Sequence, residues 1–343
     1  MLYKILGKKD YSIFLSRLIL EHDLIGPKKI KDQIYDFVPI KDLNEIDISY
    51  KKTTLPPAKK LLFPSKEELL SYKFEEKINL TTVNKSSEKI LFAINAWDLN
   101  GVNFLDRIFT TDFIDENYME KRNKLTIIGM DTEPDENNFA VEMGSESVNS
   151  GFDLFLSDLG DRYFVRVATS KGNGLLAENA TAIEASEKDF ADYSNFMKQY
   201  RKKFKPMTDI EDFHENFEIA YGKNQLWDKL SKNCFSCGSC NLVCPTCFCF
   251  NVKDDMNINL KEGIKSREWD SCMICDYGLV SGGHNFRPTR SNRLKQRYRC
   301  KLKTFVDKFG TISCVGCGRC IEACLAKINI CEDINSIQKE VSV

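Results

Sequence analysis

The residues best suited to chemistry in this chain are its cysteines, and all 14 of them lie in the last third of its 343 residues. Two runs of four share a short, regular spacing: Cys234, Cys237, Cys240 and Cys244, followed by Pro245, and Cys314, Cys317, Cys320 and Cys324, followed by Leu325. Three thiolates spaced in this way can bind three irons of one [4Fe-4S] cube, while the fourth faces a second cube. Two runs therefore predict two neighbouring [4Fe-4S] clusters.

The fourth cysteine of each run is expected to bind the cluster of the other run, as in two-cluster ferredoxins. This crossed ligation predicts one cluster bound by Cys234, Cys237, Cys240 and Cys324, and a second bound by Cys314, Cys317, Cys320 and Cys244. Leu325 stands where such runs usually have proline. That difference affects the rigidity of a turn and leaves the ligand set unchanged.

A zinc site is the alternative interpretation of the paired cysteines, because two CxxC motifs can also make a tetrahedral zinc site. Each run here adds a third cysteine three residues further on, where zinc pairs usually stop. The first run also ends in the Cys-Pro pair of ferredoxins. The pattern therefore favours iron–sulfur clusters over zinc.

Three further cysteines raise the question of a third metal site. Cys247 and Cys249 follow the first run in the sequence CPTCFCF, and Cys272 lies in WDSC. These thiols could hold one more cluster, or they could be buried free thiols beside the two clusters. The candidates for a fourth ligand remain Cys275, His284 and Cys300. We otherwise expect Cys300 and Cys331 to be structural.

A stripe of positive charge lies between the two cysteine runs. The segment 284–303 has no acidic residue and eight basic ones: Arg287, Arg290, Arg293, Lys295, Arg297, Arg299, Lys301 and Lys303. Such a stripe could contact phosphates, an acidic partner or the anionic clusters. Nucleic acid is disfavoured because few aromatic side chains are available there to stack on bases. We expect a solvated helix face that docks a partner protein.

Composition places the chain among ordinary soluble proteins, with 42% hydrophobic and 29% charged residues. No stretch has the roughly 18 apolar residues of a membrane span, and residues 1–14 do not resemble a secretory signal. Thiols gathered at metal spacing suggest a reducing compartment, so we expect a cytoplasmic protein without membrane partners. The net charge of −1 hides an excess of basic residues after residue 233, which suits anionic clusters.

The first part of the chain is predicted to be an α+β or α/β scaffold and docking domain over 1–222. Apolar spacing predicts a helix over 9–22 that Gly26-Pro27 ends, and Ser65 with Glu68 has the spacing of a helix-capping box. Strands and helices then alternate. The predicted strands cover 89–95, 125–129, 152–156 and 163–168, and the predicted helices cover 99–109, 180–203 and 213–221.

Residues 223–343 are predicted to form a mostly α-helical, two-cluster ferredoxin-like domain. The 69 residues between the two runs exceed what a minimal ferredoxin needs for its crossover. Pro288 fits the first turn of a helix that Gly310 ends. The apolar face of that helix is Leu294, Tyr298, Leu302, Phe305 and Phe309.

A glycine motif in the first domain is a weaker signal. Gly172 to Ala177 match the GxGxxA pattern of dinucleotide-binding loops, with Glu187 as a candidate for contacting a ribose. A turn that merely needs two glycines explains the motif as well. The sequence shows no Ser/His/Asp set, phosphate loop or paired carboxylates, so no catalytic residue is assigned.

Longer motifs around the cysteines resemble one protein family. They read CFSCGSCNLVCPTCFCF at 234–250, REWDSCM at 267–273, SGGHNFRPTR at 281–290, RLKQRY at 293–298 and CVGCGRCIEAC at 314–324. This combination resembles the iron–sulfur subunit of anaerobic sulfite reductase, in a family that includes the electron-transfer β subunits of cytosolic sulfhydrogenases. Generic ferredoxins do not need WDSC or GGHNFR, so the resemblance is specific.

The resemblance implies a non-catalytic electron-transfer subunit of a three-part oxidoreductase. The chain would take electrons from a flavin subunit that oxidises NADH and pass them, one at a time, to a sirohaem subunit that reduces sulfite to sulfide. The same relay in an NAD(P)-linked cytosolic hydrogenase is the nearest alternative. A zinc or nucleic-acid-binding module is the alternative from a different class.

The resemblance extends more weakly over the first domain, through FPSKEEL, ILFAINAWDL with FLDRIF, and DLFLSDLGDRY. Members of the family often carry cysteines at two places there. This chain has Ala96-Trp97-Asp98 at one and Asn138-Phe139-Ala140 at the other. The resemblance therefore implies a metal-free first domain.

Overall fold

The computed structural model describes residues 1–83 and 86–341. Its strands are β1 (Leu2–Gly7), β2 (Leu24–Lys31), β3 (Ile34–Pro39), β4 (Lys66–Phe74), β5 (Ile78–Thr82), β6 (Lys89–Ile94), β7 (Leu125–Met130), β8 (Leu154–Asp158), β9 (Arg162–Val167), β10 (Ala182–Glu184), β11 (Phe250–Met256) and β12 (Glu262–Trp269).

The α-helices are α1 (Lys8–Glu21), α2 (Pro57–Leu62), α3 (Ala96–Thr110), α4 (Glu116–Lys124), α5 (Ser170–Asn179), α6 (Glu187–Arg201), α7 (Phe213–Tyr221), α8 (Asn224–Ser231), α9 (Ser239–Leu242), α10 (Arg290–Arg299), α11 (Phe305–Phe309), α12 (Arg319–Glu322) and α13 (Ile330–Val341). Short 3₁₀ turns cover Leu43–Glu45 and Asp276–Gly278, and a π-helical turn covers Cys300–Thr304.

A mixed sheet forms the centre of the first domain, with the strand order β10-β1-β9-β8-β7-β6-β2-β3 in the described part of the chain. The strands β2, β6, β7 and β8 run parallel to their neighbours within that set, and the outer pairs are antiparallel. The sequences KILFAI in β6 and LTIIGM in β7 are mostly apolar, with Lys89 and Thr126 as the exceptions. Such runs suit parallel strands that are covered on both faces.

Both faces of this sheet are indeed covered by helices. On one face, Leu91 and Ile127 pack in a core with residues of α3 and α4. On the other face, Ile90 and Ile128 pack with residues of α1 and α5. Alternate residues of one strand therefore enter opposite cores, as the period of two in a strand requires, and the predicted alternation of strands and helices is present.

A second sheet joins distant parts of the chain, in the order β11-β12-β4-β5. The pairing of β12 with β4 sets Arg267 opposite Glu67. The buried guanidinium of Arg267 pairs with both Glu67 and Asp115. The hairpin β11–β12 lies between the two cysteine runs, so this region is less purely helical than predicted.

The helix predicted over 180–203 is shorter in the structure, because Ala182–Glu184 form strand β10 and α6 covers only Glu187–Arg201. Two other local predictions in the first domain are wrong. Gly26-Pro27 lies inside β2, so it does not end the preceding helix, which stops at Glu21. Ser65 and Glu68 flank the start of strand β4 and cap no helix. Sheet pairing overrides a local signal in both cases, because β2 and β4 each gain two neighbouring strands.

The glycine motif does not form a phosphate-binding loop. Gly172 and Gly174 both lie within helix α5, whose N-cap is Thr169. A Cβ atom at Gly172 would lie 2.4 Å from the carbonyl oxygen of Asp153. Close packing of the helix on the β8 connection explains this glycine, and the prediction of a dinucleotide site here is not supported.

The helix predicted after Pro288 consists of three consecutive segments, α10, the π-helical turn and α11. It begins after the cap Thr289 and ends at Gly310, which has the left-handed conformation predicted for a stop. The predicted end at Gly310 is therefore confirmed, whereas Pro288 precedes the N-cap and does not lie in the first turn as predicted. The described helices include none that is long and apolar enough to cross a membrane.

Candidate metal centre

The first cavity of interest is lined by the four cysteines that crossed ligation assigns to one cluster. Cys234, Cys237, Cys240 and Cys324 all line it, together with Cys320. Three of these come from the first run and two from the second. The structure thus brings Cys324 to the first run, as the crossed assignment requires. Its other lining side chains include Leu294, Met273 and Ile328, which are apolar and leave sulfur as the dominant ligand atom.

A second cavity lies beside the first and gathers the complementary set. Cys314, Cys317, Cys320 and Cys244 line it. Cys320 lines both cavities, so the two candidate sites are adjacent. Four sulfur ligands at each site fit the donor set of a [4Fe-4S] cluster.

Each run places its cysteines through the same local structure. Gly238 and Gly318 both adopt left-handed backbone conformations, with φ of 81° and 73°, and each precedes a four-residue helix, α9 or α12. A Cβ atom at Gly318 would lie 2.4 Å from the carbonyl oxygen of Asn137. Glycine is therefore needed there both for the backbone conformation and for close contact with the first domain.

Backbone and side-chain donors surround the sulfur atoms. The backbone N–H of Ser236 donates to Cys234 Sγ, and that of Ile328 donates to Cys324 Sγ, both at 3.3 Å. The hydroxyl of Ser239 lies 3.3 Å from Cys237 Sγ. Donors of this kind stabilise the charge of thiolates and tune cluster potentials.

Burial sets the protonation of several of these thiols. Burial raises the pKa of Cys240 to about 11 and the pKa values of Cys314 and Cys317 to about 12. These side chains are therefore neutral thiols at neutral pH unless a metal ion displaces the proton. Iron supplies that positive charge, so the buried sites fit a cluster.

The basic stripe is not the solvated face that the sequence predicts. Arg293, Arg297, Lys301 and Lys303 are all buried. Arg297 lines both cavities and Lys301 lines the second. Burial alone would lower the pKa of Lys301, but nearby Cys244 and Cys247 raise it well above its usual range. Part of the stripe therefore neutralises the sulfur-rich centre, while Arg290 remains exposed.

The second cavity lies against the carboxyl end of the parallel strands. Asp98 follows strand β6 and pairs with Arg319 of the second run. The backbone N–H of Phe139, in the loop after β7, donates to the carbonyl oxygen of Gly316 at 2.8 Å. This edge of an α/β sheet is where such folds usually bind ligands. Here the second cysteine run occupies it.

Two stretches of the first domain, 96–98 and 138–140, lie beside this second cavity. Phe139 lines it, and Trp97 packs in a buried cluster with Cys317 and Val315. Large aromatic side chains thus occupy both places.

The remaining cysteines include the candidates for a third metal site and one cysteine predicted to be structural. Interaction with the neighbouring thiol of Cys272 lowers the pKa of Cys249 to about 6. Cys300 interacts electrostatically with Cys249. Cys275 and His284, the other candidate ligands, are exposed. Cys331 is buried in the core of the helical region, as expected for a structural residue.

Within the residues that the structure describes, no three side chains of His, Cys, Asp or Glu are arranged to hold a single metal ion. A cubic cluster makes a different demand, because each of its four thiolates binds a separate iron.

A family model described as a 4Fe-4S dicluster domain matches residues 233–328. Sulfhydrogenase 2 subunit beta from Pyrococcus furiosus is 32% identical to the chain over 340 residues, which is 99% of each protein. The chain belongs to the sulfhydrogenase beta-subunit family. No solved structure matches it significantly.

Membership of this family confirms the broader relationship predicted from the motifs, and it does not extend to the narrower identification with the iron–sulfur subunit of sulfite reductase. As a member with a dicluster domain, the chain is an iron–sulfur electron-transfer protein with two [4Fe-4S] clusters.

Several contributors to the site were missed at the level of sequence: Lys59, Asp98, Asn241 and Arg319. Asn241 illustrates why. It is buried, accepts a hydrogen bond from Arg297 Nε at 3.1 Å and donates to Cys272 Sγ at 3.0 Å. Its position directly after Cys240 is the only signal that the sequence offers.

Proposed function

We propose that the chain is the electron-transfer subunit of a cytosolic, NAD(P)-linked hydrogenase complex. The observation that carries this proposal is the similarity over the whole length to a protein named as a sulfhydrogenase beta subunit. The adjacent cysteine-lined cavities support a relay between two redox sites. The partners would be a flavin subunit that exchanges electrons with NAD(P)H and a nickel subunit that acts on hydrogen.

Sulfite reduction is the second candidate function, supported by the resemblance of the WDSC and GGHNFR motifs to those of the iron–sulfur subunit of anaerobic sulfite reductase. In that assembly the same relay would deliver electrons to a sirohaem subunit. It ranks second because the full-length relative carries the name of a hydrogenase subunit. The relay chemistry of this chain is the same in both assemblies.

When bound, [4Fe-4S] clusters exchange one electron at a time at potentials set by their surroundings. The crossed thiolates tie both cysteine runs together and fix the two sites side by side. Arg297 and Lys301 place buried positive charge beside them, which favours the more negative, reduced state. The side chain of Cys237 is exposed, whereas Cys317 is buried. We infer that a partner reaches the first site more directly than the second.

We propose a division of labour at residue 222. Residues 1–222 would act as a scaffold and docking domain, and 223–343 would carry the clusters. The ion pair between Asp98 and Arg319 and the joint sheet of β4 with β12 would hold the two parts together.

Co-purification tests the proposal most sharply. The complex is isolated without oxygen through a tag on this chain, and its subunits and metals are identified. A nickel-containing subunit is expected, and hydrogen gas should bleach the visible absorption of the clusters. A sirohaem subunit, with bleaching by NADH and reoxidation by sulfite, would instead select the second candidate. A Cys324→Ser chain serves as the control with a damaged relay.

A further inference from the structure

A third group of sulfur atoms lies beside the two cavities and is assigned to neither. It consists of Cys247, Cys249, Cys272 and Cys300. The Cys247 side chain is buried, and the other three are partly buried. Sequence spacing leaves the fourth member open, so the structure must select it.

The hairpin β11–β12 brings two members of the group together. Its register pairs Phe250 with Trp269, and the backbone N–H of Asp270 donates to the carbonyl oxygen of Cys249 at 3.0 Å. Cys249 and Cys272 thus flank the base of one hairpin, with their side chains close enough to interact.

Polar groups surround the sulfur atoms of this pair. The side chains of Cys272 and Tyr277 lie close to Cys249 and interact with its thiol. The amide of Asn241 also donates to Cys272 Sγ at 3.0 Å. Neutral free thiols are weak acceptors that do not need such donors, whereas thiolates bound to iron are commonly surrounded by them.

Cys300 packs against the same buried core as Phe248 and Phe250, which flank Cys249 in the sequence. It begins the π-helical turn Cys300–Thr304, and its carbonyl oxygen accepts a hydrogen bond from Ser313 Oγ at 3.0 Å. π-Helical turns inside α-helices frequently occur at functional sites. The two competing candidates lie elsewhere: Cys275 is exposed beside Asn285, and exposed His284 packs against Phe286.

Buried positive charge accompanies this group. The ammonium of Lys59 donates to the carbonyl oxygen of Cys244 at 3.1 Å, and that of Lys301 donates to Thr246 Oγ1 at 2.7 Å. The side chains of Lys59 and Lys301 are 4% and 2% exposed, so both are buried. Within residues 1–83 and 86–341, no carboxylate forms an ion pair with either lysine. Buried charges need a partner of opposite sign, and thiolate-bound clusters supply it.

We propose that Cys247, Cys249, Cys272 and Cys300 bind a third [4Fe-4S] cluster. Each cysteine would give up its proton and bind one iron through sulfur. Contacts from Asn241 and Cys247 place this cluster next to both cavities, because Asn241 follows Cys240 and donates to Cys272 Sγ, and the thiol of Cys247 interacts with that of Cys244. The third cluster would extend the relay towards the β11–β12 hairpin.

Iron content tests the proposal in the full-length chain, purified and reconstituted without oxygen. We expect about twelve irons and twelve sulfides per chain, against about eight for two clusters alone. Cys272→Ser and Cys300→Ser should each lose about one third of the iron. Their spectra on reduction should keep the signals of the two remaining clusters. The exposed Cys275→Ser and the buried Cys331→Ser are the matched controls, and both should retain all the iron.

Several results would overturn the proposal. The wild-type chain could hold no more than about eight irons while its two cavities are filled, or both test variants could keep the wild-type iron content. One zinc per chain lost in Cys272→Ser, or a Cys249–Cys272 disulfide found by mass spectrometry, would equally exclude it. Circular dichroism shows whether each variant is folded. If Cys272→Ser does not fold, the iron content of Cys300→Ser decides the test. Iron content is independent of which partners co-purify, so failure of the hydrogenase proposal would not alter this result.

Discussion

Asp98 and Arg319 are 221 positions apart in the sequence, and Arg319 Nη1 and Nη2 donate to the two carboxylate oxygens of Asp98 at 2.5 and 2.6 Å. Both side chains are almost fully buried. Arg319 also donates from Nε to the carbonyl oxygen of Thr53 at 2.7 Å and interacts with the thiol of Cys317. One guanidinium thus connects the edge of the parallel sheet to a predicted cluster ligand.

Replacing the acid of this pair should destabilise the protein strongly. We expect Asp98→Asn to lower the free energy of unfolding by about 3 to 5 kcal/mol, because the Arg319 charge would remain buried without its partner. Anaerobic denaturant titration measures the change. Asp161→Asn is the control, since its pair with Arg162 is largely exposed and should contribute about 0 to 1 kcal/mol. Equal effects of the two substitutions would contradict the role of the buried pair.

Removing buried charge from between the cavities should lower cluster potentials. A positive charge about 8 Å away at an effective dielectric of 20 contributes about 2 kcal/mol, or about 90 mV for one electron. Arg297→Gln should therefore shift the potentials downward by tens of millivolts, because the reduced state loses that favourable interaction. Redox titration followed by electron paramagnetic resonance measures the shift.

The exposed Arg290 provides the comparison for that titration, since it lies on the same helix α10 and should be screened by solvent. Arg290→Gln should change the potentials by no more than a few millivolts. An upward shift in Arg297→Gln, or equal shifts in both variants, would contradict the electrostatic account.

Crossed ligation predicts which cluster each fourth cysteine serves. Cys244→Ser should damage the cluster held by Cys314, Cys317 and Cys320, whereas Cys324→Ser should damage the other. Iron analysis with spectroscopy of the reduced protein identifies the cluster that remains. Cys331→Ser should affect neither. Loss of the upstream cluster in Cys244→Ser would show that each run binds its own cluster.

Asp131 should make stability depend on pH in the acid range. Burial raises the pKa of this carboxyl to about 6, despite a hydrogen bond from Ser157 Oγ at 2.5 Å and the nearby charge of Arg166. The contribution of the protonated carboxyl is complete below pH 3.8, the ordinary value, and is lost as pH rises towards 6.

We therefore expect Asp131→Asn to remove a decline in stability between pH 4 and pH 6. The decline should amount to at most about 2 kcal/mol, after allowance for partial solvent contact. Thermal midpoints of the wild-type chain and the variant, measured without oxygen across pH 4 to 6, check this. Parallel pH profiles for the two proteins would contradict the assignment.

The sequence predicted the parts of the fold that depend on local patterns. β6 and β7 are mostly apolar runs, so they could be recognised without knowledge of their neighbours. Gly26-Pro27 and Ser65 carry local signals for a helix end and a cap, but pairing with distant strands decides their conformation. The hairpin β11–β12 escaped prediction for a similar reason, because its partner β4 lies almost two hundred residues earlier.

The candidate site likewise has parts that local sequence patterns predict and parts that they do not. The spacing of the cysteines predicts the two ligand sets, because the first three ligands of each cluster are close together in one run. The binding of the fourth cysteine to the other cluster follows from the shape of the clusters. The burial of Arg297 and Lys301 depends on how α10 packs against both runs, and a stripe of charge looks the same whether it faces solvent or sulfur. No sequence pattern near either residue predicts the pairing of Asp98 with Arg319.

Iron and sulfide analysis of the Cys244→Ser chain beside the wild type, both purified without oxygen, tests the central claim most directly. The account predicts a brown wild-type protein with at least about eight irons and eight sulfides. It also predicts a variant that loses the cluster of the second run and keeps the first. A pale, iron-free wild-type protein, or one that holds stoichiometric zinc, would contradict it.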